Sequence, residues 1–491
     1  MKITKLFILP VLILATGCKD YLEQLPDQRT ELNSPEKVAE LVATAYPRAN
    51  YITFLESMSD NAEDKALSSA DLINREPWFF HDIPDRNEDT PDFYWFAAYT
   101  AIAAANHALE AIDNAPDPLA YTASRGEALI ARAYAHFMLV TIFSRPYDQT
   151  TSTTDPGIPY VTEPEKEVVK PYARRTVAYV YEQIEQDLTA GIPLLDNASY
   201  KEGAGKYHFT TAAAHAFASR FYLFKQDYGK AVEHANLAFP GGAILPNLRP
   251  INSAAYRALE PNVKLAEYTK ADVAANLLLV EAPSVWARNL RGYRYGFSSH
   301  MLRTFIWDDN VTRGLWGYMF YGNEQTLFTP KFREHFVKED PNADFGTPYN
   351  MIPLFTAEEV LFNRAEANAR LGNYDAVLQD LNDFASTRII VNDYDAPYYD
   401  PKLHAITRPR VLNFYATQDL EGALISTILD FKQVEFLCEG LRWFDIVRHR
   451  LPVVHTPFNR DNILTLGPND PRRVIQIPQE AQMAGLELNP R

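Results

Sequence analysis

Apolar residues recur at intervals of three and four along most of this chain, the spacing that lines one face of an α-helix. The first such run opens at Ser34-Pro35-Glu36, which supplies an N-cap hydroxyl, a proline at the first helical position and an acidic first turn. It continues with Val38, Leu41, Val42 and Ala45 on one face. The same reading predicts helices over about 92–114, 125–143, 174–195, 211–225, 227–239, 356–371, 373–386 and 426–449. In the 125–143 helix, Ala128, Ala131, Ala135, Met138 and Ile142 share a face whose alanines let a neighbouring helix approach closely. Two stretches read alike. Phe217 through Phe224 followed by Asp227-Tyr228-Gly229-Lys230-Ala231 parallels Asn363 through Arg370 followed by Gly372-Asn373-Tyr374-Asp375-Ala376. Each is a helix, a tight turn, an aromatic and a second helix with an early alanine, the tetratricopeptide hairpin pattern. Tyr228 and Tyr374 lie 374 − 228 = 146 residues apart, so the hairpins are not a strict tandem array.

Between them, at about 240–353, helical periodicity lapses in a stretch rich in Gly, Pro, Tyr, Trp and Arg, where loops and short strands are expected. With 74–96 and 396–415 it makes an irregular half. The predicted fold is therefore mainly α: about four tetratricopeptide-like helix pairs carrying a large, loop-rich half, read as one integrated domain over 34–491. Long structured loops on a rigid scaffold are where binding residues concentrate.

Composition narrows the chemistry. With 47% hydrophobic and 22% charged residues the 491-residue chain is globular, and 47 − 63 gives a formal charge of −16. That balance, with no Lys/Arg run, excludes a nucleic-acid surface. Lys2 and Lys5 precede an apolar run at 6–14, and Ala15-Thr16-Gly17 abut Cys18. This pattern predicts a lipoprotein signal over 1–17, lipidation of Cys18, and a tether over 18–33. No later stretch has the roughly eighteen consecutive apolar residues of a membrane helix, so the lipid is the predicted membrane contact. Cys438 reads as a buried core thiol. The eleven histidines form no His-Glu-x-x-His, and there is no Gly-x-Ser-x-Gly elbow or phosphate-cradling loop. The reading assigns no catalytic residue, no metal and no cofactor.

Several motifs, in order, resemble the SusD/RagB family of nutrient-binding lipoproteins. They are Cys18-Lys19-Asp20-Tyr21-Leu22, then Trp95, Tyr99, Ile102 and Asn106, then Arg125-Gly126-Glu127-Ala128 through Arg132-Ala133-Tyr134 to Phe143 and Pro146. The most specific is Glu435-Phe436-Leu437-Cys438-Glu439-Gly440-Leu441-Arg442-Trp443-Phe444-Asp445-Ile446-Val447-Arg448, and Ile475-Gln476-Ile477-Pro478-Gln479-Glu480 with Asn489-Pro490 closes the set. The resemblance implies a non-enzymatic protein anchored at the outer-membrane surface. It implies capture of an oligosaccharide or polysaccharide and delivery to a SusC-like TonB-dependent transporter, over which the protein closes as a lid. Oligopeptide cargo and a purely structural helical lipoprotein remain the alternatives. In the signature stretch, read as part of the 426–449 helix, Leu437, Leu441 and Phe444 share a face. Glu439 with Arg442, and Asp445 with Arg448, stand at ion-pair spacing, and Gly440 permits a close backbone approach.

Sugars have an apolar face and hydroxyl-rich edges, so aromatic platforms beside Arg, Asp or Asn suit them. Four tryptophans fall in the irregular half: Trp78, Trp286, Trp307 and Trp316. Around them lie Arg288, Arg291, Tyr293, Tyr295, Asp308, Tyr318 and Tyr321, and these eleven residues are the predicted ligand set. Trp95, Tyr99 and Trp443 read as packing residues.

Overall fold

Side-chain caps start most of the long helices. Thr90, Thr176, Thr210, Asp227 and Thr356 each turn an oxygen back to the backbone N–H three residues on. The computed structural model describes residues 32–69, 71–165, 172–391 and 399–491. The proposed signal, Cys18 and nearly all of the tether lie outside the described residues.

The main helices are α1 (Pro35–Val42), α2 (Ile52–Met58), α3 (Leu72–Trp78), α4 (Pro91–Asp113), α5 (Thr122–Phe143), α6 (Val177–Gly191), α7 (Thr211–Phe224) and α8 (Tyr228–Leu237). After the insertion come α9 (Ala357–Arg370), α10 (Tyr374–Ser386), α11 (Arg408–Phe414), α12 (Leu420–Glu435) and α13 (Leu441–Arg448). Helix α4 packs on α5, α5 on α6, α7 on α8 and α9 on α10, and α8 lies against α9. The two look-alike hairpins, separated in sequence by the insertion, are therefore stacked neighbours in space. Helix α5 is apolar and long enough to cross a membrane by composition alone, but it is buried in the protein core.

The strands are β1 (Glu63–Asp64), β2 (Asn276–Pro283), β3 (Tyr295–Gly296), β4 (Leu315–Trp316), β5 (Glu334–Lys338), β6 (Gly346–Thr356), β7 (Ile389–Ile390), β8 (Val453–His455) and β9 (Leu464–Leu466). β6 lies between β2 and β5, antiparallel to both, with Val280 opposite Ile352. Because β2 and β6 run side by side, the second half of the insertion is closed into a loop, and Thr356 at the end of β6 caps α9 directly.

Two predictions change. The 74–96 stretch carries α3 and the first turn and a half of α4. The 426–449 helix is two helices, because Cys438 and Gly440 take positive φ (68° and 72°) and break the backbone between α12 and α13. The buried Glu56 carboxylate binds this turn, accepting from Cys438 N–H at 2.8 Å and Gly440 N–H at 2.9 Å. A side chain at Gly440 would meet the Ile52 Cα at 3.0 Å, so the close approach is real, though its setting is a turn. Arg442 pairs with Asp60 at 2.7 Å and Glu439 with Lys331 at 2.6 Å, in place of the predicted pairing with each other. Asp445 and Arg448 do meet, at 3.4 Å.

Candidate ligand-binding face

The predicted ligand residues divide by exposure. Trp78, at the end of α3, is fully buried; its indole N–H donates to the Ala62 carbonyl at 3.1 Å. Its ring lies between Tyr295 at 4.3 Å and His455 at 4.9 Å, both nearly parallel to it. Trp286 and Tyr293 are buried together, ring centroids 6.0 Å apart. The Tyr318 hydroxyl donates to Glu435. Tyr321 lies 5.9 Å from Phe328, over which the Arg291 guanidinium sits at 3.4 Å. Arg288 is exposed and holds Glu334 through two hydrogen bonds of 2.7 and 2.8 Å. Trp307 and Asp308 are exposed, Trp307 by 64%.

Trp307 ends a short π-helical turn, Leu302–Trp307, a wide-turn geometry that often marks functional positions. This turn forms one wall of a cleft of about 190 Å³. Thr304, Phe305, Asp309, Asn310 and Trp316 line it from the insertion, and Phe414, Tyr415, Asp430 and Gln433 face them from α11 and α12. Phe414 is 41% exposed and stands edge-on to Tyr415 at 4.9 Å. The Tyr415 hydroxyl donates to Asp430 at 2.6 Å; burial, and then the Asp430 charge, push this phenol well above its ordinary value. Asn310 sets the opposite lip, donating to the Gly314 carbonyl at 2.8 Å and accepting from Thr312 N–H at 2.9 Å. Trp316 packs edge-on against Phe431 at 5.0 Å, and its indole N–H finds no partner among the described residues. Apolar rings and hydrogen-bonding oxygens converging on one open cleft suit a polyhydroxylated ligand. The sequence reading placed 396–415 in the irregular half and 426–449 in a helix, but named no ligand residue on this α11–α12 wall.

Beneath this face the insertion is anchored by buried ions. Arg388 binds Glu435 at 2.8 Å and Glu358 at 2.9 Å, and Arg249 binds Glu358 at 2.8 Å. Glu439 takes Lys331 at 2.6 Å and the Tyr268 hydroxyl at 2.5 Å. Burial alone would raise Glu435, but Arg388 outweighs it and holds the carboxyl below its ordinary value. Glu435 and Glu439 are thus committed to ion pairs. Elsewhere Glu366, Asp445 and His449 bring three potential metal-ligand atoms together, but Arg448 and Lys432 already supply cations there.

Comparison with known proteins agrees with this architecture. Residues 20–223 match the family model described as starch-binding associating with outer membrane, and residues 286–487 match the SusD family model. No curated protein matches the chain. A SusD superfamily protein of Bacteroides thetaiotaomicron superposes with TM-score 0.66 at 17% identity, covering 94% of this chain and 100% of its own. A SusD-like carbohydrate binding protein of Bacteroides vulgatus gives 0.64 at 17% identity, over 92% and 96%. Another SusD superfamily protein of B. vulgatus gives 0.64 at 19%, over 94% and 98%. At these identities the structures speak for the fold, and the two family models together span both of its halves. This chain belongs to the SusD/RagB family, whose members are binding proteins associated with the outer membrane.

Proposed function

We propose that this protein captures an oligosaccharide at the cell surface and delivers it to a SusC-like TonB-dependent transporter. In this reading Cys18 is lipidated, residues 34–491 act as one unit, and the protein closes over the transporter as a lid that swings about its tether. It binds without cleaving, and its affinity is modest so that cargo dissociates into the transporter. Ligand contact falls to Trp307 and Asp308 of the predicted set, joined by Phe414, Tyr415, Asp430 and Gln433. Trp316 contributes to the cleft wall, Trp78, Trp286, Tyr293 and Tyr295 are committed to packing, and Arg288, Arg291, Tyr318 and Tyr321 to contacts within the protein.

The observation that carries this reading is Trp307, a tryptophan 64% exposed on the same turn as Thr304 and Phe305, which line a cleft with carboxylate and amide groups on its walls. An exposed indole gains little from packing, whereas the apolar face of a sugar stacks on it. The test is retardation of the chain from Lys19 onward in gels containing polysaccharides, with oligopeptides assayed by calorimetry and products checked for cleavage. Retention by a glycan, lost in Trp307→Ala at unchanged thermal stability, supports the reading. Response to peptides alone would move the cargo to oligopeptides, and silence in both would favour a structural lipoprotein.

A further inference from the structure

Several arginines of the irregular half are neutralised by carboxylates: Arg288 pairs with Glu334 at 2.7 Å, Arg294 with Asp64 at 2.7 Å and Arg408 with Asp375 at 2.6 Å. Arg313 and Arg410, like Arg291, Arg303 and Arg333, have no carboxylate at ion-pair distance among the described residues, in a chain carrying a formal charge of −16. What sets these two apart is that they sit together. Arg410 donates to the Thr312 carbonyl at 3.4 Å, which sets its guanidinium against the turn that carries Arg313. Burial and then the neighbouring Arg313 charge lower the proton affinity of Arg410.

The turn itself is built to hold this position. Arg313 has φ of 60°, a backbone region that residues with a side chain seldom adopt, and its N–H donates to the Asn310 carbonyl at 2.9 Å. Asn310 lines the cleft, and Arg410 precedes Phe414, on the opposite wall, by one turn of α11. Arg410 is held against the turn that carries Arg313, and an anion bound beside both would relieve the repulsion between their charges. The exposed Asp308 and Asp309 stand on the Trp307 side, where they disfavour an anion and accept hydroxyl groups instead.

We infer that Arg313 and Arg410 form an anion subsite beside the cleft, next to its Asn310 and Phe414 walls, which takes the carboxylate or sulfate group of an acidic polysaccharide. This rests on the glycan-binding reading above and names its ligand class. Guanidinium suits both anions, through paired hydrogen bonds to two oxygens.

The test uses the chain from Lys19 onward, which keeps every described residue, against polygalacturonate, chondroitin sulfate and neutral xylan and dextran. The expected result is stronger retention by an acidic polymer than by either neutral one, weakening as salt rises. The two acidic polymers separate carboxylate from sulfate. Arg313→Gln and Arg410→Gln should each weaken acidic-glycan binding by about tenfold or more, the equivalent of one charge-assisted hydrogen bond. Arg410→Lys, which keeps the charge, should recover part of the loss. Equal retention of neutral and acidic polymers, or variants that bind the acidic ones normally, would overturn the anion subsite and leave the glycan reading standing. Retention of no glycan, with or without peptide binding, would overturn both.

Discussion

The turn between α12 and α13 can be tested by comparing one glycine with another. Gly440 and Gly372 both have positive φ, 72° and 78°. A Cβ on Gly372 meets nothing within 4 Å, whereas one on Gly440 lies 3.0 Å from the Ile52 Cα and 3.4 Å from the Tyr51 ring. Alanine at either position suffers the left-handed penalty of about 1–2 kcal/mol. At Gly440 the obstacle is backbone, which cannot rotate away, and overpacking adds about 1–3 kcal/mol. The expected losses are therefore about 1–2 kcal/mol for Gly372→Ala and about 2–5 kcal/mol for Gly440→Ala. For a chain of this length the unfolding entropy is on the order of 1 kcal/mol per degree, so the thermal midpoint should fall by about 1–2 °C in the first and about 2–5 °C in the second. Urea midpoints at constant slope give an independent measure. Equal losses in the two variants would refute the argument that Gly440 is required by its contact with α2 as well as by its φ.

Three further outcomes follow from the buried interior. Trp78→Ala should destabilise by about 3–5 kcal/mol, because the ring fills the space between Tyr295 and His455, and urea unfolding will show it. Arg388→Met leaves Glu358 and Glu435 buried without their shared partner and should cost about 3–5 kcal/mol, whereas Arg288→Met on the exposed Glu334 pair should change stability by less than about 1 kcal/mol. His136 is fully buried and neutral: Nδ1–H donates to the Arg132 carbonyl at 2.9 Å, and Nε2 accepts from Val161 N–H at 3.0 Å. Burial lowers it from 6.5 to about 3, so the unfolded chain binds the extra proton more readily. Its contribution is complete above about pH 6.5 and drains away as pH falls toward 3, by up to about 4 kcal/mol. Thermal midpoints should decline over that window, and less so in His136→Gln.

The helices were legible because their signals are local. Ser34 and Pro35 start α1, and the aromatic-plus-alanine pattern marked both hairpins, since capping and periodicity act within a few residues. The break at 436–440 escaped that reading because Leu437, Leu441 and Phe444 stay in helical register across it, while its cause, Glu56, lies some 380 residues away in sequence. The same distance problem governs the ligand face. Composition marks Trp78 and Trp307 alike, and only the approach of Tyr295 and His455, distant in sequence, separates the packed Trp78 indole from the exposed Trp307. The cleft was half visible, since its second wall comes from α11 and α12, whose residues meet Trp316 only once the insertion has closed.

The ions beneath that face bear on when the molecule counts as folded. Arg249 and Lys331 belong to the insertion, while Glu358 and Glu439 lie at or beyond the helices that resume after it. Were the insertion unfolded, Glu439 would lose both Lys331 and the Tyr268 hydroxyl, and Glu358 would keep Arg388 but lose Arg249, at a cost of about 3–5 kcal/mol for each buried pair broken. We therefore expect the repeats and the loops they carry to unfold together, in a single transition by urea. A molecule with sound helices and a slack ligand face should not accumulate, so any copy that survives with its scaffold intact also has its ligand face formed.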